Sequence, residues 1–250
     1  MNIELEFITD EGRNERIVID NIENNEKLLL ANRNIKTINL SPLSDWTTLT
    51  LIELSNNQIE KINLEPLKSC KNLRQLSLGN NKLTKVNLNP LKDCPNLAVL
   101  GFADNNIDEI DLTPLSECNI VILALNRNNL KKVDISSLNH TYKLFSLNLA
   151  GNQLEEIDLD TLENGHQLHS LHLNNNQLKE ISLKPLSSCK NLQELWLHLN
   201  LIKKIHLTPL FNCTNLNSVT LDPDLEIECN LENTNLPIPE GLKRFLNNNC

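Results

Sequence analysis

Three histidines, His166, His169 and His172, recur at three-residue spacing, and His198 follows further on. Imidazoles at short intervals are the raw material of a zinc site, which needs three or four nitrogen or sulfur ligands converging on one point. These lie in an alternating, strand-like segment, where residues three apart point to different sides. Only His172 and His198 share a face, so no metal site is expected. The seven cysteines are the second candidate set. Five of them, Cys70, Cys94, Cys118, Cys189 and Cys213, fall in one column together with Trp46, Thr141 and Gly165. A column that accepts Cys, Trp, Thr and Gly is a core position, where free Cys acts as a small buried hydrophobe. Cys229 and Cys250 lie outside that column and are the one pair placed to bridge. The chain shows no activated nucleophile and no Gly-rich phosphate loop, and Asp104, Glu194 and Asp222 are widely scattered. Neither catalysis nor a cofactor is expected.

The columns themselves come from a repeat. The chain holds 51 Leu and 41 Asn among 250 residues, against 6 Gly and 1 Met, a bias that points to a short unit written many times. Ile35, Ile59, Leu83, Ile107, Leu130, Leu154, Leu178 and Ile202 follow one another at 24-residue intervals, with a single interval of 23. One full copy, Leu73 to Asn96, places Leu76, Leu78, Asn81, Leu83, Val86, Leu88, Pro90, Leu91 and Cys94 in the fixed columns. The unit resembles the leucine-rich repeat family, whose core reads L-x-x-L-x-L-x-x-N-x-L. The resemblance covers roughly residues 25–225. It implies an α/β solenoid: a horseshoe with a parallel sheet on its concave face and extended segments and short 3-10 turns on its convex face.

The physics of the unit agrees with that picture. L-x-L alternates with period two, a short strand with one buried face, and identical strands at fixed spacing stack in parallel through crossovers. The Asn column (Asn57, Asn81, Asn105, Asn128, Asn152, Asn176, Asn200) ends each strand, where a buried amide can bond neighbouring coils through both its donor and its acceptor. Pro at the start of the return turn tolerates its missing donor there. Ser137 and Thr161 replace that Pro in two central units, so slightly different turns are expected at both.

Both ends break the pattern. Residues 1–24 alternate around Thr9-Asp10-Glu11-Gly12 and are expected to form a hairpin cap. Arg33 takes the ladder Asn position in the first coil and Asp224 takes it in the last. Residues 226–250 are expected to close the solenoid with a short helix from Pro239-Glu240 to about Phe245-Leu246, because a terminal coil would otherwise expose core. One domain, residues 1–250, is expected.

Composition limits the partners. The net charge of −9 makes a phosphate backbone an unfavourable ligand, and no stretch of 18 apolar residues offers a membrane span. Lys131, Lys132, Lys203 and Lys204 alternate with Asp108, Glu109, Glu155 and Glu156, so no single-sign stripe forms. The first residues lack a basic segment followed by an apolar run, and seven Cys is an odd number. A cytoplasmic location is therefore expected.

With the core columns committed to folding, specificity falls to the outward strand positions. Val99, Gly101, Ala103, Ile122 and Ala124 make a small, apolar strip expected to be flanked by Phe145. Trp196 stands among His172, Glu194 and His198, and an outward Trp in a chain this poor in aromatics is the best hot-spot candidate. Val99, Ile122, Phe145, His172, Glu194, Trp196 and His198 are thus the expected contact residues on the concave face. The resemblance implies a non-enzymatic module that binds another protein, as a scaffold or a regulator of an enzyme or small GTPase, and is monomeric alone. The alternative is an extracellular recognition or adhesion protein, which the sequons at Asn39, Asn139 and Asn212 would suit.

Overall fold

A computed structural model describes residues 1–138, 141–230 and 237–246. The chain contacts fall into two compact units, Met1–Asn129 and Leu130–Cys250. In the first unit, β1 (Ile3–Thr9) and β2 (Asn14–Ile19) form the expected antiparallel hairpin. The parallel strands β3 (Lys27–Leu29), β5 (Leu51–Glu53), β6 (Gln75–Ser77), β7 (Val99–Gly101) and β8 (Ile122–Ala124) follow in register, while β4 (Ile35–Ile38) turns back to pair antiparallel with β1. In β1 the alternation is clean, burying Ile3, Leu5, Phe7 and Thr9. The hairpin is therefore a three-stranded cap, with the first coil contributing its return segment.

The second unit carries the parallel strands β9 (Ser146–Asn148), β10 (Ser170–His172), β11 (Glu194–Trp196) and β13 (Ser218–Thr220). On its return side β12 (Lys204–His206) pairs parallel with β14 (Glu226–Glu228). One 3-10 turn, Glu240–Leu242, leads into the single α-helical turn α1 (Lys243–Leu246). This turn sequence docks on the last coil: the Gly241 N–H donates to Leu216 O at 2.9 Å, and the Arg244 guanidinium donates to Val219 O. Arg244 thus satisfies a carbonyl at the sheet edge that a further strand would otherwise take.

In the strands of the outer face (β3, β5–β11 and β13) the central residue is buried and its neighbours stand half-exposed, except that Lys27 and Leu29 are exposed and Ser170 is buried. The Asn ladder works through both ends of each amide. Asn81 Oδ1 accepts the Ile59 N–H of the preceding coil at 3.0 Å, and its Nδ2 donates to Leu54 O and Leu78 O at 3.0 Å each. Asn57, Asn105, Asn128 and Asn176 repeat these bonds. Two more Asn columns also serve the backbone, where the sequence reads mostly as solvated coil. Asn32, Asn56, Asn80 and Asn175 sit at positive φ just before or at the coil bend, a conformation that Asn tolerates better than other non-Gly residues. Asn39, Asn63 and Asn87 accept the N–H two residues on, at the entry of each 3-10 turn.

Two sequence expectations change. Asp224 is exposed, and the carboxylate that closes the last coil belongs to Asp222, which accepts the Leu199 and Asn200 N–H groups at 2.7 and 3.1 Å. A carboxylate can accept two N–H bonds at a terminal coil, where no further carbonyls arrive. Thr161 supports the same five-residue 3-10 turn, Asp160–Asn164, that Pro opens elsewhere, with Asp158 Oδ1 accepting the Asp160 N–H at 2.8 Å. At Ser137 a turn replaces the five-residue helix, as expected.

The five ladder cysteines are free and buried, each thiol donating to the carbonyl of a Leu 27 residues earlier, at 3.2 to 3.5 Å. Trp46 uses the same column in the same way, its Nε1–H meeting Asn25 O at 2.7 Å. Burial pushes the Cys70, Cys118 and Cys213 thiols up to about 12 and those of Cys94 and Cys189 up to about 11. Cys229 is half of a disulfide, and Cys250, the partner expected from the sequence, lies outside the described residues.

Candidate protein-interaction surface

Each parallel strand sends its first and third residues outward, so the outer face is written by the residues that the repeat leaves free. In the first unit Val99 and Ile122 are register partners on β7 and β8, with Gly101 beside Ala124. All four are half-exposed and apolar. Gly101 has an ordinary negative φ, and an added Cβ would come no nearer than 4.0 Å to the Ser77 Cα. Neither backbone nor packing demands glycine there. At the rim of this face Arg127 pairs with Asp104, its Nη2 lying 2.7 Å from Oδ2.

The second unit carries a different chemistry. The rings of His172 on β10 and Trp196 on β11, register partners, stack with centroids 3.9 Å apart and planes at 10°. Side chains standing off neighbouring strands, ~4.8 Å apart, are positioned for such a stack. His172 Nε2 lies 2.9 Å from Glu194 Oε2, and Trp196 Nε1–H reaches Ser218 Oγ at 3.3 Å. His198 Nδ1 lies 2.6 Å from Thr220 Oγ1. The four residues expected to cluster here, His172, Glu194, Trp196 and His198, are thus held by bonds running from coil to coil.

Phe145, expected to flank the apolar strip, stacks on His169 of the next coil, with centroids 4.6 Å apart and planes at 19°. Both rings precede their strands by one residue, so the stack stands at the strand entry. It leaves Phe145 43% exposed. The Ser146 and Ser170 hydroxyls meet between the two stacks at 2.7 Å. His166, the remaining member of the sequence triplet, points to Ser188 O at 3.3 Å. The three histidines therefore have three separate sets of partners. Among the described residues no group of three His, Cys, Asp or Glu side chains is arranged to hold a metal ion.

Two contributors escape the sequence argument. Leu199 and Leu201 are 61% and 55% exposed, directly after His198 at the exit of β11. Leu199 has φ 57°, in the position that other coils fill mostly with Asn, Asp or Gly (Asn32, Asn56, Asn80, Asp104, Gly151 and Asn175) and once with Arg127. A Leu there costs on the order of 1 kcal/mol relative to those residues. The signal in the sequence was the break in an Asn-rich column. Away from the face, opposite charges pair across coils, Lys85 with Glu109 at 2.6 Å and Lys179 with Glu155 at 2.7 Å. These pairs set opposite charges against each other on that side.

The repeat geometry has a family counterpart. Profiles described as Leucine rich repeat and Leucine Rich repeats (2 copies) match residues 47–107 and 118–178, and residues 166–212, respectively. The chain belongs to the leucine-rich repeat family. Among curated proteins none matches it significantly by sequence. Among solved structures it is similar to internalin C2 of Listeria monocytogenes, at 29% identity over 80% of this chain and 82% of that one, with a TM-score of 0.64. A second internalin of Listeria monocytogenes matches at 24% identity over 86% and 69% of the two chains, with a TM-score of 0.64. A plant peptide hormone receptor, solved in complex, matches at 21% identity over 76% of this chain and 30% of that one, with a TM-score of 0.66. The two matches under 25% identity bear on the fold alone. The leucine-rich repeat fold of this protein is that of a protein-interaction module.

Proposed function

We propose that the protein is a non-enzymatic module that engages a partner protein through the outer strand face of its second unit. The observation that carries this reading is the Trp196 indole, held outward by its stack on His172 and by Ser218. A half-buried aromatic with fixed orientation binds at low entropic cost, which is what makes Trp a recurrent hot spot. Phe145 with His169, and the exposed Leu199 and Leu201, extend the apolar area on either side. Val99 and Ile122 give the first unit a second, smaller patch. A role as scaffold or regulator, of an enzyme or a small GTPase, suits a module with no chemistry of its own. A cytoplasmic location is part of this reading, since the cysteines of the ladder column stand unbridged although several follow one another on neighbouring coils.

The test is capture of a partner from lysate of the source cells, with Trp196→Asp and Ile122→Asp compared singly with the unmodified protein. Loss of the same captured protein in Trp196→Asp, at nearly unchanged thermal stability, is the expected outcome. Undiminished capture by both variants would remove the site assignment. A second reading, cell-surface recognition, is favoured by the disulfide at Cys229. Counting thiols on the denatured, unreduced protein separates the two: seven free thiols fit the cytoplasm, five fit an oxidising exterior.

A further inference from the structure

The five histidines among the described residues, His166, His169, His172, His198 and His206, all fall in the second unit. Three of them, His169, His172 and His198, stand on or at the entry of its outer strand face. Imidazole is the side chain whose charge ordinarily changes between about pH 5 and pH 8. At His172 the surroundings are arranged around that change. Its Nε2 lies 2.9 Å from Glu194 Oε2, so a neutral ring donates from Nε2 and leaves Nδ1 to take an incoming proton. The Trp196 ring lies parallel to it at 3.9 Å, where a cation is attracted by the indole π-face. Its register partner on β9 is Asn148, which carries no charge. On its own strand His169 is stacked on Phe145. One coil beyond Trp196, His198 meets Thr220, and the Asp222 carboxylate is turned to backbone N–H groups. Among the described residues Glu194 is the charged group bonded to His172. The His172 side chain is 13% exposed and that of Glu194 37%, so proton and solvent reach the pair without its being fully solvated.

We propose that His172, Glu194 and Trp196 form a proton-responsive element that regulates the strand face. Proton uptake at His172 Nδ1 turns the neutral stack into a cation–π contact and neutralises Glu194 in an ion pair. The face holds the carboxylates of Glu194 and Asp222 against the imidazoles of His169, His172 and His198. Its net charge therefore passes from negative at neutral pH to positive in acid. A partner segment bearing basic side chains is held at neutral pH and released on acidification. The proposal rests on the reading of this face as the contact surface, and names its regulation.

The test needs no partner, because Trp196 reports on its own surroundings. Trp46 is fully buried, so Trp196 is the tryptophan that a dissolved quencher reaches. Iodide quenching of the intrinsic fluorescence is followed from pH 8 to pH 5, with uncharged acrylamide as the control. The quenching constant for iodide is expected to rise about twofold as the local potential changes sign, while that for acrylamide stays constant. His172→Gln should reduce the iodide rise, and Glu194→Gln, which removes a negative charge from beside the indole, should raise iodide quenching at pH 8. A flat iodide response, or iodide quenching at pH 8 unchanged in Glu194→Gln, overturns the proposal. Either result leaves the contact surface itself to be judged by Trp196→Asp capture, so the two failures are distinguishable. The Glu194→Gln comparison stands even where His172→Gln disturbs the fold, because it replaces an outward side chain by its uncharged isostere.

Discussion

The strand faces of the two units are built on one repeat and differ in almost every free position. β7 and β8 present Val99, Gly101, Ile122 and Ala124, which make no side-chain hydrogen bonds and hold nothing in a fixed direction. β10 and β11 present His172, Glu194 and Trp196 beside the buried Ser170, tied to one another and to the flanking coils by a ring stack and three polar contacts. Beneath them the core residues are interchangeable: Leu100 and Leu123 in the first unit, Leu171 and Leu195 in the second, all fully buried. Recognition in a repeat protein depends less on how much apolar surface a strand shows than on whether neighbouring coils fix the side chains that show it. Fixing removes in advance the rotamer entropy that a partner would otherwise have to supply.

The comparison predicts equality in the scaffold and inequality on the face. Asn81→Ala and Asn176→Ala should each lower stability by about 3 kcal/mol, since each leaves buried N–H and C=O groups unpaired. Urea unfolding of the two variants measures this, and a difference of more than about 1 kcal/mol between them would show that the units do not share one scaffold energetics. On the face, Trp196→Ala should weaken a captured partner by about 2 kcal/mol or more in a titration, and Ile122→Ala by less than about 1 kcal/mol. The reverse order would move the hot spot to the first unit.

Smaller effects sharpen the same contrast. The buried thiols hold their protons in the folded chain up to about 11 or 12, whereas the unfolded chain releases them near 9. The unfolded state therefore loses protons first, and stability, fully present below about pH 9, should fall as pH rises toward 12. Melting temperatures taken across that range check the sign, and Cys118→Ser with Cys213→Ser compare the contribution of each unit. Leu199→Asn should raise stability by about 1 kcal/mol by relieving the left-handed leucine, and should weaken partner binding if the exposed Leu is part of the contact. Gly101→Ala should raise stability by roughly 0.5–1 kcal/mol, because the strand position has room for a Cβ. An equal gain in both variants with binding intact would place neither residue in the contact.

Much of this was legible beforehand because period is a property of the chain. The 24-residue spacing identified the strands, the Asn ladder and the buried Cys column, and the hairpin around Gly12 followed from local alternation. Contacts between the free positions were harder to read. The stack of Phe145 on His169, a full coil later, is one such contact. Asp224 occupied the ladder column by count, but the two N–H groups of the last coil turn to Asp222. Thr161 lacks the Pro that opens the turn elsewhere, yet the five-residue 3-10 turn forms there all the same.

The sequence by itself determined which side chains are buried and which are free, because burial in a repeat is fixed by column, and the hydrophobic drive acts column by column. It also determined that Trp196 would stand outward on a strand. Only the tertiary structure decided what Trp196 stands against. Register brings His172 beside it and Ser218 within reach of its Nε1, although these residues lie 24 and 22 positions away along the chain. A ring stack and a hydrogen bond depend on ångström distances and interplanar angles between coils, and no pattern of letters along one coil contains them.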